Sequence, residues 1–254
     1  MDEIVKTSDS RVAIVTGGTR GIGRALVEGY LSDGWNVVFS YLSSKDLAEE
    51  IVAVAGAEGR AIAVQADVRE FDQVETLAKV TIDNFARIDA LVNNAHAPYK
   101  TKWFEEASWN DFQREIDTLL KGPFNTIKAV LPQMKAQGMG AIVNLGSTMA
   151  QVPRPQHSFY SVAKNALIGL NQCLTVELGK YGIRLNVVTP GGLMTDHNAD
   201  YPKEIMERLA KETPLYNRLG EIEEIADAII MMTSHKSRFI SGAHVLASGG
   251  FSVA

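Results

Sequence analysis

The sequence predicts an α/β protein, a single doubly wound parallel sheet with helices on both faces. Two observations carry that expectation. Short β-rich apolar runs alternate with amphipathic stretches from Val12 to beyond Val188, and a repeating β-α order builds parallel strands covered by crossover helices. The residues best suited to chemistry, Gly17 to Gly23, Asp67, Asn93 and Ser147, all fall where such strands end, and ligands of these sheets collect at the carboxyl ends. With 254 residues, 46% of them hydrophobic, the chain has enough apolar material for one sizeable core, so residues 1–254 are expected to form one domain.

A polar arm, residues 1–10, precedes the first strand, Val12-Ala13-Ile14-Val15, which runs into Thr16-Gly17-Gly18-Thr19-Arg20-Gly21-Ile22-Gly23. Glycines here let the backbone turn tightly, bring main-chain N–H groups to a pyrophosphate and allow the next helix to pack close to the strand. The amphipathic stretch from Arg24 to Leu31 supplies that helix. The spacing is Gly-x-x-x-Gly-x-Gly, unlike the Gly-x-Gly-x-x-Gly of many dinucleotide-binding loops, with the same physical logic.

The second strand, Trp35 to Ser40, ends where an NAD site carries a carboxylate for the ribose 2′-hydroxyl. The sequence there reads Ser40-Tyr41-Leu42-Ser43-Ser44-Lys45, with Arg20 in the glycine loop. Hydroxyls and cations accept a 2′-phosphate that a carboxylate would repel, so NADP is favoured over NAD. Ser43 and Ser44 also suit the cap of the helix that follows.

A third strand, Arg60 to Gln65, ends at Ala66-Asp67-Val68, placing Asp67 to meet an adenine amino group. A helix is expected from about Phe71 to Phe85, then a fourth strand, Ile88 to Val92, leading into Asn93-Asn94-Ala95-His96. One long helix is expected around Trp109 to Lys135. The strand Ile142 to Leu145 then brings Ser147 to its carboxyl end, able to hold a carbonyl oxygen. In the next helix Tyr160 and Lys164 stand four residues apart on one face. A phenol with a solution pKa of about 10 exchanges protons poorly near neutrality, and a fixed ammonium beside it favours the phenolate.

Thirty acidic and twenty-five basic side chains give a net charge of −5 with no Lys/Arg-rich run, which argues against nucleic acid as a partner. The amino terminus lacks a signal-like pattern and no apolar stretch reaches about 18 residues, so a cytoplasmic protein without a membrane partner is expected. Cys173 is the single cysteine and reads as helix core beside Leu170, Leu174 and Val176. His197 and His244 have no metal-ligand spacing around them, and no metal site is expected. His157 reads as a partly solvated loop residue. Glu221, Glu223 and Glu224 read as the acidic start of a helix.

Thr16-Gly17-x-x-x-Gly21-x-Gly23, Asp67, Asn93-Asn94-Ala95, Ser147, Tyr160-x-x-x-Lys164 and Pro190-Gly191 occur together in an order that resembles the short-chain dehydrogenase/reductase family from about Arg11 to Gly250. Within it the chain is similar to the β-ketoacyl-acyl-carrier-protein reductase type of fatty acid biosynthesis, through Pro190 to Thr195, Arg218-Leu219-Gly220, Ser241-Gly242 and Gly249-Gly250. The resemblance implies a Rossmann-type sheet and NADP(H)-dependent reduction of a 3-oxoacyl thioester or ketone. Tyr160 passes the proton, Ser147 holds the oxygen, and Lys164 lowers the Tyr160 pKa while binding ribose hydroxyls. It implies cofactor contacts from Gly17, Thr19, Arg20, Gly21, Ile22 and Gly23, from Tyr41, Ser43, Ser44, Asp67, Val68, Asn93 and Ala95, and from Pro190, Gly191 and Thr195 besides the catalytic pair. Residues 193–217 become a substrate lid, and a homotetramer is implied, with the long helices at one interface and the last strand at another.

Two positions depart from the family pattern. The asparagine that relatives place before Leu-x-Gly-x-Phe, where it holds a proton-relaying water, is Leu119 here, with Thr118 the neighbouring candidate for that water. His96 stands where glycine follows Asn93-Asn94-Ala95. Its imidazole is expected to pack or point outward, with crowding of the nicotinamide pocket and a part in proton relay as the other readings. A catalytically impaired nucleotide-binding protein therefore stays open as the alternative.

Overall fold

The computed structural model describes residues 10–55, 59–96, 98–194 and 203–251. Seven strands form one parallel sheet: β1 (Val12–Val15), β2 (Asn36–Tyr41), β3 (Ala61–Gln65), β4 (Ala90–Asn93), β5 (Gly140–Leu145), β6 (Ile183–Pro190) and β7 (His244–Ala247). Their order is β3-β2-β1-β4-β5-β6-β7. The order reverses direction between β1 and β4, and a crevice opens there at the carboxyl ends.

Side chains alternate along each strand, so one strand feeds two cores. Ala13, Val15, Val37, Phe39, Val92 and Val143 face α1 (Gly21–Ser32), α2 (Lys45–Ala55) and α8 (Ile222–Thr233). Ile14, Val38, Leu91, Ile142 and Leu185 face α3 (Phe71–Phe85), α5 (Gly122–Gln137) and the end of α6 (Ser158–Leu178). β1 and β4 are buried along their whole length, as central strands covered on both faces must be.

The single helix expected around Trp109 to Lys135 is interrupted. α4 (Trp109–Ile116) passes into a π-helical turn, Asp117–Lys121, before α5 begins. Pro123 explains the change: it has no N–H for the Leu119 carbonyl, and its ring crowds that carbonyl. The turn widens instead, and the Gly122 N–H reaches back five residues to Asp117 O.

Cys173 is exposed, contrary to the core position expected. α6 turns Leu167, Asn171 and Leu178 inward, which leaves the opposite face, with Cys173 and Val176, to solvent. The lid region is described at 193–194 and 203–217 and contains α7 (Lys203–Lys211), whose Met206 and Leu209 pack with Phe251. Glu221 caps α8 in a capping box in which Glu224 accepts the Glu221 N–H, so the acidic cluster has the capping role expected. Among the described residues no helix is long and apolar enough to cross a membrane.

Candidate active site

The glycine loop is fixed by its own backbone. Gly17 and Gly21 lie at φ 68° and 50°, the left-handed region where a Cβ is strained. Gly17 N–H donates to Ser40 Oγ at 3.2 Å and Gly18 N–H to Ser40 O at 2.9 Å. Just beyond β4, Asn94 Nδ2 donates to Thr16 O and Gly17 O, while Thr16 Oγ1 accepts from the N–H groups of Asn94 and Ala95, both at 3.0 Å. A Cβ on Gly23 would collide with the Gly17 carbonyl oxygen and lie 2.6 Å from Asn94 Nδ2. α1 opens beyond Arg20 with no acidic residue in its first turn. Cramped glycines, amide N–H groups at a helix start and an exposed Arg20 make a cradle that fits a pyrophosphate.

Along the rest of the crevice the residues divide. Tyr41 ends β2 half-buried, Ser43 is exposed, and the Ser44 carbonyl accepts the Ala48 N–H as α2 begins. Asp67 is held by Arg69, whose Nε lies 2.9 Å from Oδ1 and Nη2 2.6 Å from Oδ2. That pairing, chiefly the side-chain hydrogen bonds, keeps the Asp67 carboxyl below its ordinary pKa. The Val68 carbonyl accepts from Asn125 Nδ2. Asn93 is occupied at both ends of its amide: Nδ2 donates to Asn144 Oδ1 at 2.8 Å and Oδ1 accepts from Thr126 Oγ1 at 2.6 Å. Asn144 Nδ2 continues to Asn171 Oδ1 at 3.1 Å. This buried ladder ties β4, β5 and α6 together. Gly191, after Pro190, sits so close to β7 that a Cβ would lie 2.8 Å from Ser248 Cα. Thr195 and His197 lie outside the described residues.

Ser147 follows β5 and caps a short 3₁₀ turn, its Oγ accepting the Met149 N–H at 3.2 Å. The hydroxyl proton remains able to donate. Tyr160 and Lys164 occupy the first turns of α6, with Lys164 Nζ 5.8 Å from the Tyr160 ring centroid. Lys164 is 5% exposed and donates to Leu145 O at 2.6 Å. Burial pushes its ammonium down to about 8, and the negative charge of Glu115 acts in the opposite direction. Glu115, on α4, is 2% exposed, and its Oε2 has no hydrogen-bond partner among the described residues.

An aromatic group covers Tyr160. Tyr99 stacks on it at 5.1 Å between centroids, and His96 meets it edge-on at 5.5 Å. His157 is the partly solvated residue of the loop into α6 that was expected. It stands at the cap of α6, half-buried, with Nδ1 2.8 Å from the Tyr99 hydroxyl. His96 packs, as the first reading had it, but inward, with Nε2 3.8 Å from Glu115 Oε2. Leu119 is fully buried, and the Thr118 hydroxyl donates to Arg114 O at 3.1 Å, so its proton is already spent in the helix. A cavity of about 690 Å³ lies between the ends of β6 and β7 and residues 213–220, and neither Ser147 nor Tyr160 lines it. Among the described residues no group of three His, Cys, Asp or Glu side chains could hold a metal.

Tyr99 and Glu115 are missing from the sequence reading. Tyr99 carries no spacing signal. Glu115 carries one, standing four residues before Leu119 and therefore on its helix face, a carboxylate on a side otherwise turned inward.

A doubly wound sheet with a glycine cradle at its switch point and a Ser-Tyr-Lys group one crossover away defines a nucleotide-dependent oxidoreductase. The model for the family described as Enoyl-(Acyl carrier protein) reductase matches residues 17–252. The 3-oxoacyl-[acyl-carrier-protein] reductase FabG of Staphylococcus epidermidis is 35% identical over 244 residues, covering 95% of this chain and 98% of that protein. The L-rhamnose 1-dehydrogenase (NAD(P)(+)) of Azotobacter vinelandii is 35% identical over 254 residues, 96% and 97% of the two chains. The structure of a short-chain dehydrogenase/reductase from Brucella melitensis described as a glucose/ribitol dehydrogenase superposes with a TM-score of 0.88 at 30% identity, over 96% of this chain and 97% of that one. This chain belongs to the short-chain dehydrogenase/reductase family and resembles its 3-oxoacyl-acyl-carrier-protein reductases.

Proposed function

We propose that the protein is an NADP(H)-dependent reductase of a ketone or a 3-oxoacyl thioester, with Tyr160 as the proton donor. The observation that carries this reading is the buried Lys164 beside Tyr160, facing the strand that delivers Ser147. When bound, a nicotinamide cofactor supplies the hydride. Gly17, Thr19, Gly21, Ile22 and Gly23 line its pyrophosphate, Asp67, Val68, Asn93 and Ala95 its adenine side, and Pro190, Gly191 and Thr195 its nicotinamide side. Arg20, Tyr41, Ser43 and Ser44 take a 2′-phosphate, since the end of β2 carries no carboxylate to repel it.

The chain's own residues orient the carbonyl and move one proton. The Ser147 hydroxyl donates to the substrate oxygen and fixes its position. The Tyr160 hydroxyl releases its proton to that oxygen as negative charge develops there. The Lys164 ammonium, in a site with little water, stabilises the phenolate that remains. The rings of Tyr99 and His96 wall the phenol on its open side, so a substrate reaches Tyr160 past an aromatic surface. The substrate is small or carried on an acyl carrier, the setting cytoplasmic, and the assembly a homotetramer, for which Trp109, Phe124, Val162 and Val176, exposed along α4, α5 and α6, supply apolar surface.

The test is NADPH oxidation at 340 nm against short 3-oxoacyl thioesters, simple ketones and keto sugars, with Tyr160→Phe alongside. Turnover that vanishes in the variant supports the reading. Tight NADPH binding with no turnover favours the impaired nucleotide-binding protein, the reading that buried Leu119 keeps in view.

A further inference from the structure

Glu115 is a carboxylate in a place where burial is costly. It is 2% exposed, and among the described residues Oε2 has no hydrogen-bond partner and Oε1 meets Arg114 Nη2 alone, at a loose 3.5 Å. A buried carboxylate held this poorly costs several kcal/mol unless a cation faces it or a proton neutralises it. Two groups that exchange protons do face it across the cleft. Lys164 is buried on α6, which packs against α4, and its Nζ donates to Leu145 O rather than to Glu115, whose charge still reaches it; His96, on the loop after β4, brings Nε2 to 3.8 Å. His96 is 28% exposed in its side chain, so this line of groups begins at solvent and ends at the buried ammonium. Leu119, one helical turn along the same face, has no polar atom to offer.

Resting on the reductase reading above, we infer that Glu115 is a positioning residue that fixes the charge of Lys164 and, with His96, returns to it the proton that Tyr160 spends. In reduction the Tyr160 hydroxyl gives its proton to the substrate oxygen. The Lys164 ammonium gives one to the phenolate, and the amine left behind is reprotonated through a bridging water by way of the Glu115 carboxylate. The carboxylate takes that proton from the His96 imidazolium and hands it on, so Glu115 is an anion before and after, and His96 draws its own proton from solvent. One proton enters from water and one leaves on the alcohol, and none of these four groups is oxidised or reduced. Among the described residues, the titratable and charged groups set against Glu115 are Arg114 on its own helix, His96 beyond β4 and Lys164 on α6, with Tyr160 beyond His96. Arg114, 43% exposed in its side chain, stays charged throughout and carries no proton between the others.

The deciding measurement follows Lys164 directly. In protein labelled at lysine Cε with ¹³C, with the Lys164 resonance assigned by its loss in Lys164→Arg, Glu115→Gln should titrate at a midpoint roughly one pH unit or more below wild type, because an opposite charge has been removed. Glu115→Asp should keep most of the wild-type midpoint. In turnover, Glu115→Gln should lower kcat roughly 10- to 100-fold, leave the KM for NADPH within about twofold, and bring the alkaline fall in rate to lower pH. A Lys164 midpoint unmoved in Glu115→Gln overturns the inference. Should Glu115→Gln fail to fold, His96→Gln decides: a kcat lowered at unchanged NADPH KM supports the relay, and an unchanged kcat overturns it. Wild-type protein that reduces none of the carbonyls sinks the reductase reading alone, since the Lys164 titration needs no substrate and still settles the role of Glu115.

Discussion

At the β1–α1 loop the polar groups around the glycines are paired: Gly17 and Gly18 with Ser40, Thr16 with Asn94 and Ala95. On α4 and α6 three buried side-chain oxygens, Glu115 Oε2, Ser158 Oγ and Ser161 Oγ, have no hydrogen-bond partner among the described residues. The two regions face different tasks. A pyrophosphate has a fixed charge and needs a fixed shape, which backbone supplies best because it does not titrate. A proton in transit needs groups that change charge, and these must be side chains held short of full satisfaction. The loop spends its polar groups on rigidity, while the cleft keeps some of them available.

If that division is right, Tyr160→Phe gives the largest effect. It should cut turnover by about 10²- to 10⁴-fold, the usual contribution of a positioned proton donor, while NADPH titrated by fluorescence binds as before. Loss of binding in step with turnover would mean that the cleft also shapes the cofactor site. Gly23→Ala breaks the other side of the comparison. Its Cβ has no room beside the Gly17 carbonyl, and the overpacking should cost about 3 kcal/mol, read as a lower thermal midpoint together with weakened NADPH binding. An alanine variant that binds NADPH normally would show that the loop can yield.

Lys164→Met sharpens the contrast through pH. Burial lowers the folded-state pKa of Lys164 from 10.5 to about 8, so the folded state disfavours the ammonium. The cost is present in full below about pH 8 and fades as pH rises towards 10.5. Losses at Leu145 and Glu115 offset part of the gain, and methionine should stabilise the fold by about 1 to 2 kcal/mol at pH 7 while abolishing turnover. The difference from wild type in chemical denaturation should shrink by pH 10. Equal stability at both pH values would mean that the ammonium is not disfavoured. The smallest effect belongs to Glu224→Gln. Its pair with Arg218 is close but exposed, and its loss should cost under about 1 kcal/mol by thermal melting.

Short continuous apolar runs and glycine punctuation made the sheet legible in the sequence, since strands buried on both faces such as Val12 to Val15 admit few other readings. Ser147, Tyr160 and Lys164 were legible through residue type and order. What escaped depends on which way a helix is rotated. Cys173 sits in an apolar stretch yet points outward, because the inward positions of α6 are set by Leu167, Asn171 and Leu178. Asn93 was read only as a cofactor contact, and its side chain also joins Asn144 and Thr126 from 51 and 33 residues away, pairings that no local pattern announces. Glu115 looks like one more surface acid until α4 is laid against α6.

The widened turn at Asp117–Lys121 sets a phase between two helices. Each residue advances an α-helix by about 100°, and a turn closed over five residues rather than four carries one residue more than a regular helix would hold. Deleting one residue there would bring the two helices into a single register and swing Trp109 to Ile116 by that angle about their axis. Glu115 would leave the cleft without any change to its own identity. The chemistry assigned to this carboxylate therefore depends on a count of residues as much as on a choice of side chain.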